Sequence, residues 1–77
     1  MAVADAVFFV QMIIRINGEE KEIQERLSIA ALLDELQIRS GRVVVELNRN
    51  IISREAHGST ALKEGDSIEI VHFVGGG

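Results

Sequence analysis

The 77 residues suffice for one small domain, and a hydrophobic fraction of 47% with 26% charged residues excludes a disordered chain. The absence of cysteine excludes disulfides, a thiol nucleophile and thiolate metal sites, so any sulfur chemistry must use sulfur brought from elsewhere. The net charge of −4 argues against nucleic-acid binding, which normally leaves a basic footprint, and favours docking on basic partner surfaces.

The first eleven residues, 1–11, are predicted to be a flexible or non-native N-terminal extension that precedes the domain. They are apolar but interrupted by Asp5 and Gln11, and no run approaches the roughly 18 residues that a membrane span needs. They also lack the basic start and the cleavage site of a secretory signal, so the cytoplasm is the expected location. The alternative is that residues 7–10 lengthen the first strand.

Two strands joined by a tight turn are predicted to open the domain. Apolar residues alternate over 12–16, as in a strand with one buried face. Asn17 and Gly18 follow, and this pair favours a type I′ hairpin turn because both central residues need a positive φ. Residues 20–24 then form a polar return strand, anchored by Ile23 and suited to an exposed edge.

The hydrophobic period then changes to that of a helix. Four apolar residues fall at positions i, i+3, i+4 and i+7, which lie on one helical face: Ile29, Leu32, Leu33 and Leu36. Ser28 is placed as the N-cap, since its hydroxyl can accept from a free backbone N–H at the helix start. Arg39 near the end and Gly41 beyond it predict the helix stop.

Residues 42–47 are β-branched and apolar, which is typical of a buried strand. A turn at 48–50 leads into a short strand at 51–52, and residues 53–61 are polar and irregular. Nothing in this stretch suggests a repeat or a low-complexity linker.

The last strand is predicted over 67–73, after a tight turn whose Leu62 fills the core. Ile68 and Ile70 point to one face, so Val71 and Phe73 share the opposite face and are expected to be exposed. Together with Val74 they are candidate partner contacts, because apolar side chains exposed in a patch commonly mark an interaction site. The alternative is that they cover a sheet edge or the helix end.

The predicted order of elements gives an α+β fold in which one main helix packs across one face of a mixed sheet of four to five strands. That order is the ubiquitin-like β-grasp topology, with the domain spanning 12–77 and a flexible tail at 74–77. Fold alone does not give function.

The sequence closes on Gly75, Gly76 and Gly77, directly after the last strand. Glycine has no Cβ, so such a tail can thread a narrow channel and leaves the carbonyl of Gly77 open to attack. Four residues from Val74 onward can extend roughly 13–14 Å, enough to enter a partner's active site while the domain docks outside. The alternative is an inert, unstructured tail.

The chain resembles the ThiS family, the sulfur carriers of thiamine biosynthesis, from residue 12 to the end. The resembling stretches read LSIAALLDEL, VVVELNRNIISRE and LKEGDSIEIVHFVGGG. The most specific parts are Glu46-Leu47-Asn48, Ser53-Arg54-Glu55, Gly65-Asp66 and the final glycines. Many members carry proline where this chain has Ser53, a departure that affects loop stiffness more than chemistry.

The resemblance implies that a partner adenylating enzyme uses ATP to activate Gly77, and that a persulfide sulfur donor converts it to a thiocarboxylate. Thiazole synthase then takes the sulfur, while Gly75 and Gly76 let the tail thread. On this interpretation the chain is a carrier and co-substrate with no bound cofactor. The absence of a phosphate-binding glycine loop fits that division of labour.

Three alternatives remain open at this point. The sulfur could serve molybdopterin or another metabolite, the activated glycine could be transferred to a lysine as in a protein modifier, or the domain could only bind other proteins. No nucleophile–base set or paired acid predicts a catalytic residue. His57 and His72 lack ligand spacing, so no metal site is predicted either.

Overall fold

The computed structural model describes residues 11–73, and residues 1–10 and 74–77 lie outside the described part. The strands are β1 (Gln11–Ile16), β2 (Glu19–Gln24), β3 (Val43–Leu47), β4 (Asn50–Ile52) and β5 (Ser67–His72). The helix α1 spans Ile29–Glu35, and two short 3-10 turns occupy Ser40–Arg42 and Arg54–Ala56. The predicted α+β fold, with one helix and a mixed sheet, is confirmed.

The five strands form one sheet in the order β2-β1-β5-β3-β4. β1 and β5 run parallel, with Arg15 opposite Ser67, and the other neighbouring pairs are antiparallel. The strand that comes last in the chain therefore lies in the middle of the sheet. Within the described part of the chain, no helix has the length and apolar character to cross a bilayer.

β1 begins one residue earlier than predicted, at Gln11, because Gln11 pairs with Gln24 of β2. The rest of the predicted N-terminal extension, residues 1–10, lies outside the described residues, and so does the alternative that 7–10 lengthens the strand. The hairpin turn itself is confirmed, since φ is 50° at Asn17 and 86° at Gly18.

The start of α1 is capped as predicted, and it also donates hydrogen bonds to carbonyls in the loop after β4. The Ser28 hydroxyl accepts from the Ala31 N–H at 3.0 Å. The N–H groups of Ile29 and Ala30 donate to the carbonyls of Thr60 and His57, each at 3.0 Å. The first three free N–H groups of the helix are therefore satisfied, two of them by the loop after β4.

The predicted end of the helix, near Arg39 and Gly41, is wrong. α1 ends at Glu35, and Gln37 takes the left-handed conformation that commonly closes a helix, with φ at 60°. The Ile38 N–H donates to the Leu33 carbonyl at 2.8 Å and the Gln37 N–H to the Asp34 carbonyl at 3.0 Å. These are the two bonds of a Schellman motif, here with glutamine where glycine is usual, and Gly41 lies in the first 3-10 turn.

The core lies between α1 and one face of the sheet. Leu62 from the tight turn is 2% exposed, as predicted, and its N–H donates to the Leu27 carbonyl at 2.8 Å. The buried apolar residues come from all the major elements: Met12, Ile14, Ile23, Ile29, Leu32, Leu33, Val43, Val45, Leu62, Ile68 and Ile70. Among residues 11–73, no helix covers the opposite face of the sheet.

Two turns at the same end of the sheet are joined by side chains. Asn48 and Arg49 have φ values of 52° and 73°, which makes the connection between β3 and β4 a tight turn. The Asn48 amide donates to the Asp66 carboxylate at 3.0 Å, and its oxygen accepts from the Ser67 N–H at 2.9 Å. Asp66 also accepts from the Lys63 N–H at 2.7 Å, so it stabilises the turn before β5.

Candidate functional site

The candidate site begins where β5 ends. Beyond the strand, the Phe73 N–H still donates to the Arg42 carbonyl at 3.0 Å, which continues the pairing with the segment before β3. Val74, Gly75, Gly76 and Gly77, four of the residues proposed from the sequence, lie outside the described residues. The sheet therefore holds the chain up to a point four residues before Gly77.

The two faces of β5 differ as the alternation predicts. Ile68 and Ile70 are 0% and 5% exposed in the core, whereas Val71 and Phe73 are 53% and 57% exposed on the helix-free face. β5 is a central strand, so Val71 and Phe73 cover neither a sheet edge nor the helix end. Partner binding by Val71 and Phe73 stays a prediction.

Strand register places further residues around these two. Val44 lies opposite Val71, and Glu46 lies opposite both Glu69 on β5 and Ile51 on β4. We call the helix-free surface formed by six residues the docking face: Val44, Glu46, Ile51, Glu69, Val71 and Phe73. The sequence identified Val71 and Phe73 as candidate contacts, and alternation along β5 places Glu69 on the same face. Val44, Glu46 and Ile51 join the surface through a strand register that no local pattern specifies.

Two asparagines hold β5 in place, Asn17 within the strand and Asn48 at its start. The Asn17 amide bonds both backbone groups of Ile70, at 2.7 and 3.2 Å, and the Asn17 N–H donates to the Ile68 carbonyl at 2.9 Å. At the start of the strand, the Asn48 side-chain oxygen accepts from the Ser67 N–H at 2.9 Å and the Asn48 N–H donates to the Ser67 carbonyl at 2.7 Å. β5 is thus a fixed support for the residues that follow it.

The two histidines occupy different positions. His57 is 3% exposed, with Nε2 3.3 Å from the Ile52 carbonyl and Nδ1 without a hydrogen-bond partner. Since its backbone carbonyl accepts from Ala30, this residue supports the helix start, a structural role that its polar sequence context did not predict. His72 is exposed on β5, and within residues 11–73 no three His, Asp or Glu side chains converge as metal ligands.

Comparison with known families gives one assignment over most of the chain. The model of the ThiS family matches residues 14–77. This range begins within β1 and includes the other four strands, the helix and the closing glycines. The crystal structure of a thiamine biosynthesis protein (ThiS) from Geobacter metallireducens is similar, with a TM-score of 0.76 and 36% sequence identity. The similarity covers 86% of this chain and 100% of that one.

Two curated relatives differ greatly in length. The sulfur carrier protein ThiS of Bacillus subtilis is 40% identical over 65 residues, which cover 83% of this chain and 98% of the relative. The thiazole synthase of Paramagnetospirillum magneticum is 42% identical over 62 residues, or 80% of this chain. The chain spans only 19% of that synthase, so the similar segment is a small part of a longer protein.

Proposed function

This chain belongs to the ThiS family, the sulfur carriers of thiamine biosynthesis, and we propose that it carries sulfur as a thiocarboxylate on Gly77. On this proposal the reacting group is the carboxylate of Gly77. The domain holds and presents that group, and the chemistry is performed by partner enzymes.

The observation that carries this proposal is the central position of β5. Its backbone is bonded on both sides, by Asn17 and by β3, and the pairing with the Arg42 carbonyl continues to Phe73. Four residues follow, three of them glycine, and they can extend roughly 13–14 Å. A docked domain could therefore place Gly77 within a partner's active site, as glycine's lack of a Cβ allows.

A free carboxylate is a poor electrophile, so activation must come before sulfur transfer. In the proposed sequence a Gly77 oxygen attacks the α-phosphorus of ATP, pyrophosphate leaves, and an acyl-adenylate forms. A persulfide sulfur then attacks the carbonyl carbon and AMP leaves, giving an acyl disulfide. A thiol cleaves that disulfide to release the thiocarboxylate. The chain has no cysteine, so both the persulfide and the thiol belong to other molecules.

The proposed partners are an adenylating enzyme, which binds ATP, and thiazole synthase, which accepts the sulfur. Thiazole synthases with a segment similar to this chain support the second partner, since the segment and the acceptor there share one polypeptide. On this proposal the chain is a co-substrate and not a catalyst, binds no cofactor of its own, and works in the cytoplasm.

The test is an intact-mass measurement on the full chain. The protein is incubated with the adenylating enzyme of the same organism, ATP and a persulfide donor. Exchange of one terminal oxygen for sulfur supports the proposal. Attachment to lysines would instead indicate a protein modifier, and an unchanged mass in the presence of an active enzyme would contradict both.

A further inference from the structure

Two carboxylates face each other on the docking face. Glu46 of β3 and Glu69 of β5 are directly opposite partners in the antiparallel register. Directly opposite side chains have Cβ atoms about 4.5–5.5 Å apart, and like charges at such positions destabilise a sheet. Glu46 is half-buried and Glu69 exposed, so the pair lies at the surface without being fully solvated.

Among residues 11–73, no cationic side chain forms an ion pair with Glu46 or Glu69. Within residues 11–73 the one ion pair joins Arg15 and Glu20, at 3.8 Å. Arg49 lines the same open cavity as Glu46 and Glu69, but it forms no ion pair with either carboxylate. The fold thus keeps two like charges at directly opposite positions, and both carboxylates are open to a cation from a partner.

Apolar side chains surround this pair. Ile51 is 70% exposed beside Glu46, and Val71 lies two residues after Glu69 on the same face of β5. Phe73 extends the patch toward the tail. Exposed apolar residues around a charged centre are the arrangement in which a desolvated ion pair across an interface strongly affects binding.

We propose that the docking face binds the adenylating enzyme through an apolar surface carrying a lysine or arginine that inserts between Glu46 and Glu69. The inference rests on the proposed function for the identity of the partner. It adds the chemistry of the contact: one cation shared by two carboxylates, flanked by Ile51, Val71 and Phe73. Binding removes the repulsion between the carboxylates, so the partner stabilises the domain as it docks.

Charge complementarity favours this occupant over others. A second copy of the chain on a two-fold axis would place the same surface against itself and bring four carboxylates together. The net charge of −4 also opposes self-association and nucleic-acid binding, because like charges repel. Continuity also favours an enzyme that acts on the tail, because the docking face includes Phe73, the last described residue before it.

The test uses four variants of the full chain. Glu46→Gln and Glu69→Gln each remove one charge, and Glu69→Lys converts the repulsive pair into an attractive one. Glu25→Gln is the matched control, since Glu25 is exposed after β2 and lies outside the docking face. Thermal midpoints and dissociation constants are measured for each, the latter by calorimetry against the adenylating enzyme of the same organism, without ATP.

The expected signature is opposite movement of stability and binding. Both Gln variants should melt a few degrees higher than wild type and bind roughly tenfold more weakly. Glu69→Lys should be the most stable of the set and the weakest binder, while Glu25→Gln matches wild type in binding. The difference in dissociation constant between wild type and the Gln variants should become smaller as the salt concentration rises from about 0.05 M to about 0.5 M, as expected for an ionic contact.

Unchanged binding by the Gln variants, or a loss of stability in both, overturns the inference, as does a wild-type chain that fails to bind. Because binding is measured without ATP, this result is separate from sulfur transfer. Normal thiocarboxylate formation with unaltered variant affinity would leave the proposed function intact and refute the docking chemistry. Binding as expected without formation of a thiocarboxylate would support the docking chemistry and contradict the proposed function.

Discussion

The side-chain amide of Asn17 bonds both backbone groups of Ile70, accepting from its N–H at 2.7 Å and donating to its carbonyl at 3.2 Å. β1 ends at Ile16, so this amide continues the parallel pairing with β5 by one further step after the backbone has turned away. One residue therefore shapes the first turn and fixes the strand that leads to the tail.

Replacing Asn17 should show how much the amide contributes. Asn17→Gly keeps the positive φ of the turn but removes both hydrogen bonds, and we expect a loss of about 1–3 kcal/mol in the free energy of unfolding. Asn17→Ala should lose about 1 kcal/mol more, because alanine disfavours that backbone conformation. Urea denaturation measures both, with Asn50→Ala as a control whose amide makes one exposed bond. A Gly variant as stable as wild type would contradict this role.

The unusual helix end predicts a stabilising change. Gln37 holds a φ of 60°, and the left-handed region costs a non-glycine residue roughly 1–2 kcal/mol. Gln37→Gly removes that cost but adds about 0.4–1 kcal/mol of unfolded-state entropy, so a net gain of up to about 1.6 kcal/mol in the free energy of unfolding is expected. The midpoint of thermal unfolding of Gln37→Gly should rise by a few degrees, whereas that of Gln37→Ala should not rise.

The N-cap can be tested with a matched pair of serines. Ser28→Ala removes the acceptor of the Ala31 N–H and should cost about 1 kcal/mol. Ser53 precedes the second 3-10 turn but makes no capping bond there, so Ser53→Ala should change stability by less than about 0.5 kcal/mol. Equal effects of the two changes would mean that the cap does not stabilise the helix.

Truncating Phe73 should separate docking from stability. Its side chain is 57% exposed and takes no part in the core, so Phe73→Ala should change the free energy of unfolding by less than about 0.5 kcal/mol. If Phe73 inserts into a partner pocket, the KM of the adenylation reaction should rise about tenfold or more. Pyrophosphate release at varied carrier concentration measures this, and Glu25→Gln serves again as the neutral surface control.

Deleting Gly77 tests the proposed carrier group directly. We expect the shortened chain to form no acyl-adenylate productive for sulfur transfer, because its terminal carboxylate is displaced by one residue, up to about 3.6 Å. Its thermal midpoint should stay within about one degree of wild type, because the buried core of the described residues lies between Met12 and Ile70. Intact mass and a melting curve suffice, and a large fall in the melting temperature would argue that the tail is packed.

Local signals predicted much of this fold. The alternation over β1 and β5, the Asn17-Gly18 turn and the Ser28 cap depend on neighbouring residues, and all are present in the structure. The predicted helix end was wrong. Glycine usually follows the end of a helix, but the nearest glycine, Gly41, lies beyond the observed end at Glu35. In this structure the Ile38 N–H donates to the Leu33 carbonyl and closes the helix. This hydrogen bond outweighs the usual preference for glycine at the position of Gln37.

Long-range relationships could not be read in the same way. The contacts of Asn17 with Ile70 and of Asn48 with Asp66, and the apposition of Glu46 and Glu69, all depend on how distant segments align. A one-residue change in register would move Glu69 to the other face of the sheet, and a local sequence pattern does not fix the register. The carrier tail stays a prediction from its glycines alone, whereas the docking face could be defined only from the assembled sheet.

The central position of β5 has a consequence for synthesis on the ribosome. The β1–β2 hairpin and the β3–β4 hairpin emerge first, but within the sheet they are joined only by β5, which is translated after both. Until residues 67–72 leave the exit tunnel, the nascent chain displays two half-sheets with open edges and exposed aliphatic side chains, a state prone to aggregation. Completion of the domain is therefore tied to the arrival of the strand that precedes the proposed carrier group, and a nascent chain stalled before β5 should be a substrate for chaperones or proteases.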